Sequence, residues 1–186
     1  MTKTERKENS IFLPVYLLPL KAALISFILF FFSIGVLAQA TPATYPKITG
    51  YVGAVHPIVS YGKDKPQYNF NGSYTGGLAT GINIWKSAKV GFSFEFVPYI
   101  RAASVTSIMS NFLFHPGVLF AFGKGYTLAT RAAFETGGRY GVTPVFNKVV
   151  KRNKNTSYYV AIPVPARFGN NQPATLGLAF QFGIAF

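Results

Sequence analysis

Two histidines, His56 and His115, each followed by proline, are the chain's candidates for proton transfer. Around His115, the residues Ser107, Ser110 and Glu95 are those from which an acyl-transfer apparatus would be built. Such a centre needs a hydroxyl as nucleophile, an imidazole as base and a carboxylate to orient it. The spacing matches no acyl-transfer motif, and each histidine reads as a strand residue near an interface, so no catalytic residue is expected. Two separated histidines and three acidic residues after position 40 make no metal-ligand cluster, and the chain has no cysteine. Gly72-Ser73-Tyr74-Thr75-Gly76-Gly77 is glycine-rich, but it lies in strand-like sequence without a following helix to receive a phosphate, so no cofactor is expected. What remains is a set of charges, Glu95, Arg101, Arg131, Glu135, Arg139 and Arg167, whose spacing puts them on a shared face of alternating segments.

Eight such segments follow one another, at about 47–60, 68–85, 89–101, 106–122, 126–136, 139–150, 157–168 and 174–186, separated by turn-forming stretches such as Gly123-Lys124-Gly125. The last is the clearest. Leu176, Leu178, Phe180, Phe182, Ile184 and Phe186 alternate with Gly177, Ala179, Gln181, Gly183 and Ala185. In the third, Val90, Phe92, Phe94 and Phe96 oppose Gly91, Ser93, Glu95 and Val97. In the fifth, Tyr126, Leu128, Ala132 and Phe134 oppose Thr127, Ala129, Arg131, Ala133 and Glu135. The first segment alternates poorly and the second only from Leu78 onward. No helical period competes after residue 46.

The smaller face decides the surroundings. A soluble β-sandwich or barrel would turn its Phe/Leu face inward and a charged face to water. Here the second face is Gly, Ala, Ser and Thr with a rare charge, which suits a crowded lumen. The large face is then expected in lipid, in strands long enough to cross a bilayer and closed into a barrel so that every backbone group is paired. Tyr51, Tyr68, Tyr74, Trp85, Tyr99, Tyr126, Tyr140, Tyr158 and Tyr159 lie near segment ends, where interfacial girdles belong. Inside the barrel, Glu95 is expected to pair with Arg131, and Glu135 with Arg131 or Arg139, as a lumen-filling network.

Residues 1–40 read as a helical export signal. Lys3, Arg6, Lys7 and Lys21 precede the uncharged run Ala22 to Ala38, and Ala38-Gln39-Ala40 offers a cleavage site. Residues 41–46 form a Pro/Thr linker and 47–186 the barrel. After position 40 the chain keeps 14 of its 18 basic residues against Asp64, Glu95 and Glu135, a net charge of +11. The basic residues are scattered among strands and turns of an exported chain, so nucleic acid is not expected as a partner. Lipopolysaccharide and other outer-membrane lipid fit that charge better.

The signal segment, the eight alternating strands and the aromatic last residue resemble the small outer-membrane β-barrel proteins, the OmpA-/OmpX-like and "porin family" barrel domains of Gram-negative bacteria. Tyr158 to Gly169 (YYVAIPVPARFG) and the closing GLAFQFGIAF are most similar to the Bacteroidetes type. The resemblance implies an all-β, eight-stranded, antiparallel up-and-down transmembrane barrel in the cell outer membrane; nothing in the sequence sets its oligomeric state, and a monomer is expected. It also implies that Phe182, Ile184 and Phe186 serve as the signal read by the barrel-assembly machinery. With the C-terminus periplasmic, the turns at 86–88, 123–125 and 151–156 lie on that side, and those at 62–66, 102–105, 137–138 and 169–173 face outward. The function expected is a non-enzymatic structural or surface-contact role in the envelope. The alternatives are a narrow pore for small solutes or ions and a lipid-A-modifying enzyme.

Overall fold

The computed structural model describes residues 44–63 and 65–186, so the segment 1–40 read as an export signal and residues 41–43 of the expected linker lie outside the described residues. Ten strand segments follow: β1 (Lys47–Gly62), β2 (Lys65–Tyr68), β3 (Ser73–Trp85), β4 (Val90–Ala103), β5 (Ser107–Gly123), β6 (Tyr126–Glu135), β7 (Tyr140–Arg152), β8 (Ser157–Pro163), β9 (Ala166–Phe168) and β10 (Thr175–Ala185). Sequential neighbours pair antiparallel around the sheet, and β1 pairs with β10, from Tyr51↔Ala185 to Gly62↔Thr175. Reciprocal bonds between Gly50 and Phe186, each N–H···O 2.9 Å, fasten the closure at its end. The result is an up-and-down barrel with eight staves: β8 and β9 form one stave, and β2 caps the upper part of the β1 edge. Closure leaves no free sheet edge.

The alternation read from the sequence sets the two surfaces. Val55, Ala79, Val97, Leu113, Leu119, Ala129, Ala133, Val145, Ala161 and Ala179 are buried in the lumen, while Phe92, Phe94, Phe96, Phe122, Phe146, Phe180 and Phe182 are exposed on the outer wall. Phe122 is 68% exposed and Phe146 59%. Three tyrosines assigned to the girdle face the lumen instead. Tyr51 and Tyr159 are buried there and Tyr99 packs against the apolar cluster of Val55, Val97 and Ala179, because odd-numbered positions of their strands point inward. Tyr68, Tyr126, Tyr140 and Tyr158 are on the outside.

Two of the eight expected strands are broken, and proline explains both. The second, 68–85, runs as β3 only from Ser73, after a turn at 69–72, and Lys65 and Pro66, expected in a turn, belong to β2 instead. Val55↔Gly77 is the last β1–β3 pair, and Pro57, next in line to donate, has no N–H. The Asn69 carboxamide takes its place, accepting from Thr75 N–H at 2.7 Å and donating to Thr75 C=O at 2.8 Å. The seventh, 157–168, is interrupted at Val164-Pro165 between β8 and β9. The tight β5–β6 turn takes a left-handed backbone at three residues in succession, with φ of 81°, 50° and 81° at Gly123, Lys124 and Gly125, a conformation for which glycine is suited.

Candidate functional site

The lumen is crossed at mid-height by one connected set of polar side chains. Glu95 on β4 is 3% exposed and Arg131 on β6 is 5% exposed. Glu95 Oε1 lies 3.5 Å from Arg131 and receives His115 Nδ1–H at 3.1 Å, while Glu95 Oε2 accepts from Tyr51 OH at 3.0 Å. Arg131 also donates to Ser93 Oγ at 3.1 and 3.2 Å and to Tyr51 OH at 3.1 Å. On its other edge His115 Nε2 accepts from Thr143 Oγ1 at 2.9 Å, and Thr143 accepts from Arg167 at 2.9 Å. Arg167 Nε then donates to Glu135 Oε1 at 2.6 Å. The chain of bonds is complete with a neutral imidazole carrying its proton on Nδ1.

Both described acidic side chains thus sit in the lumen, each against an arginine. An unpaired charge there would be costly, and pairing each carboxylate with an arginine offsets part of that cost. Local backbone makes the room. Gly117 stands opposite Arg131 in the ladder, where a Cβ would fall 2.7 Å from Arg131 Cγ. Gly81 leaves space for the Tyr51 hydroxyl, and Gly53 and Gly183 for that of Tyr159, which receives Gln181 Nε2 at 3.2 Å.

Of the six charges expected to form the network, the structure brings Glu95, Arg131, Glu135 and Arg167 together. Glu135 pairs with Arg167 rather than with Arg131 or Arg139, because the register carries Arg167 across from β9 into the same layer. Arg101 stands apart: it is exposed at the mouth of the lumen and pairs with no described residue. Arg139 also leaves the network. Its guanidinium donates to Arg167 O at 3.1 Å, Pro173 O at 2.9 Å and Thr175 Oγ1 at 3.3 Å. Ser107 and Ser110 lie away from His115, and Ser110 bonds Tyr99 O instead. Tyr51, Ser93 and Thr143 are members that sequence reasoning missed; their inward parity was the available signal.

Glu95, His115 and Thr143 stand in the order carboxylate, imidazole, hydroxyl, the sequence of contacts found in acyl-transfer triads. Thr143, however, is 1% exposed, and its oxygen already accepts from the Arg167 guanidinium at 2.9 Å. The arrangement is a proton-satisfied brace. His56 is on the outer wall, hydrogen-bonded through Nδ1 to Tyr74 OH and stacked on Phe182 at 5.6 Å with 9° between rings. Among the described residues no group of three His, Cys, Asp or Glu side chains is placed to hold a metal.

Above and below the brace are two open vestibules. One, of about 780 Å³, opens at the end where β1 begins and β10 finishes, lined by Lys47, Asn83, Trp85, Thr127, Asn147 and Lys154 among others. The other, of about 730 Å³, opens at the opposite end and is lined by Val55, Val97, Tyr99, Arg101, Arg139 and Ala179 among others. Glu95, His115 and Arg167 form its floor. Phe182 and Ile184 on β10 and the following Phe186 are exposed on the outer wall.

No protein-family model matches the chain, and comparison with curated proteins gives no match. Among solved structures, one described as "De novo design of transmembrane beta-barrels" is similar with a TM-score of 0.43 at 14% identity, covering 80% of this chain and 98% of that chain.

Proposed function

We propose that the protein is an integral outer-membrane barrel of a Gram-negative envelope, non-enzymatic and monomeric, whose resting lumen is closed and whose role is structural or one of surface contact. The observation that carries this is the inversion of its two surfaces: a continuous exposed belt of Phe, Leu, Ile and Val outside, and the Glu–Arg pairs within. Water would favour the reverse, and hydrocarbon favours this one. A closed ring is also the one sheet arrangement that leaves no unpaired backbone row facing lipid. The exposed Phe182, Ile184 and Phe186 on the outer wall fit recognition by the barrel-assembly machinery, and Lys63, Lys65 and Arg101 at the outward-facing end fit contact with anionic lipopolysaccharide.

The test is electrophoretic. The chain refolded into detergent should migrate faster unheated than boiled, as a closed barrel does, and a single position under both conditions would count against it. The narrow-pore reading is favoured by the two vestibules and opposed by the brace between them. In planar bilayers the wild-type barrel should give no stable unitary steps; regular steps would make it a pore. Expression should leave lipid-A mass profiles unchanged, and a new species lost on His115→Ala would make it an enzyme.

A further inference from the structure

The wall is not equally fastened all round. Between β10 and the β8–β9 stave, the ladder runs from Ala185↔Ser157 to Gln181↔Ala161 and resumes at Leu176↔Ala166 in the same register. The stretch between sets Pro163 opposite Ala179 and Pro165 opposite Gly177. Gly177 N–H donates to Pro165 O at 2.7 Å, which marks these as hydrogen-bonding positions; alternation makes Pro163 and Ala179 the next such pair. Neither proline has an N–H to return, so two successive rungs are half-made on one seam. Pro57 leaves a comparable defect between β1 and β3, but there the Asn69 carboxamide fills it. The β3–β4 and β5–β6 ladders also skip at Pro98 and at Pro116, one proline each; the β10 seam carries two in succession, with no such patch among the described hydrogen bonds.

The position of this seam gives it a use. Ile162, Phe180 and Leu178 on its outer side belong to the apolar belt, so what reaches it from outside comes from the lipid phase. Pro163, Pro165, Gly177 and Ala179 on its inner side line the 730 Å³ vestibule, a volume in the range of ligand sites. Ala179 is part of the apolar cluster with Val55 and Val97 on the vestibule wall, against which Tyr99 packs. Above, Arg139 bridges Arg167 O on β9 to Pro173 O and Thr175 on the far side, clasping the top of the seam.

We propose that the β8–β9/β10 seam is a lateral portal through which the acyl chain of a membrane lipid enters the upper vestibule, with Arg139 as its clasp. The acyl chain lies along Tyr99, Pro165 and Gly177, over the buried cluster of Val55, Val97 and Ala179, and the lipid headgroup stays at the mouth beside Arg101 and Arg139. This inference rests on the membrane reading above.

Because the chain has no cysteine, single fluorophores can be placed at will. Three single-cysteine variants of the full barrel carry NBD: Phe146→Cys on the outer wall, Val97→Cys in the upper vestibule and Asn147→Cys in the lower one. Each is reconstituted in phosphatidylcholine vesicles with and without phospholipid bearing a nitroxide midway along its chain, folding being checked by heat-modifiable migration. Quenching is expected at Phe146→Cys and at Val97→Cys, and not at Asn147→Cys. Adding Pro163→Val and Pro165→Val, which restores both donors in strand-compatible residues, should abolish quenching at Val97→Cys; Arg139→Ala should increase it. Val97→Cys no more quenched than Asn147→Cys, or unaffected by the proline replacements, overturns the portal. No quenching at Phe146→Cys overturns the membrane reading instead.

Discussion

Replacing Glu95 by Gln keeps the shape of the side chain and removes its charge. Glu95 now accepts from His115 Nδ1 at 3.1 Å and Tyr51 OH at 3.0 Å and lies 3.5 Å from the Arg131 guanidinium. A carboxamide has one oxygen and one donating nitrogen, so at least one of these donors would then face another donor. Arg131, 5% exposed, would also lose its counter-charge. Breaking a buried pair by removing one partner costs about 3–5 kcal/mol, and the vestibules on either side give water some access, so the lower end, about 3 kcal/mol, is expected. The assay is urea unfolding of the refolded barrel in detergent, followed by the fluorescence of Trp85, the chain's one tryptophan. The midpoint should fall with the slope unchanged. Arg131→Met in the same chain should recover part of the loss, a coupling within the roughly 0.5–3 kcal/mol range for contacting residues. A Glu95→Gln cost below about 1 kcal/mol, the worth of an exposed pair, or strict additivity with Arg131→Met, would refute the brace.

Phe94→Arg on the outer wall should cost about 2–4 kcal/mol in the same titration, as a charge does in hydrocarbon. Thr127→Arg, which points into the lower vestibule, should be tolerated. Gly117→Val should give no heat-modifiable band, because its Cβ would lie 2.4 Å from Thr130 O, whereas Gly137→Ala, whose nearest neighbour would be 3.9 Å away, should fold normally. Asn69→Ala should cost about 1–3 kcal/mol by leaving both Thr75 groups unpaired, and should speed amide exchange at Thr75 in particular.

Parity was the strongest signal in the sequence. Ser93, Glu95 and Val97 against Phe92, Phe94 and Phe96 placed the charges inside and the rings outside, and the structure has them there. Strand ends were legible where glycine or a lysine turn marks them, as at Gly123-Lys124-Gly125. What parity cannot supply is who meets whom across the lumen. That depends on the stagger between staves, which decides that Glu135 reaches Arg167 and that Tyr51 reaches Glu95, 44 residues away. Tyr51 and Tyr159 were placed in a girdle because tyrosine suits interfaces; their hydroxyls instead complete the brace and its neighbour. Proline was the other misread signal. Pro57, Pro163 and Pro165 look like ordinary strand residues by alternation, yet each removes a donor at a rung and so breaks a ladder or splits a stave.

Whether the apolar belt lies in an outer membrane can be read by fractionating cells that express the full chain and washing the membranes with urea. The processed protein should be found in the outer-membrane fraction and stay there through the wash. Its recovery as a detergent-free soluble monomer would place the belt in water and overturn the membrane reading.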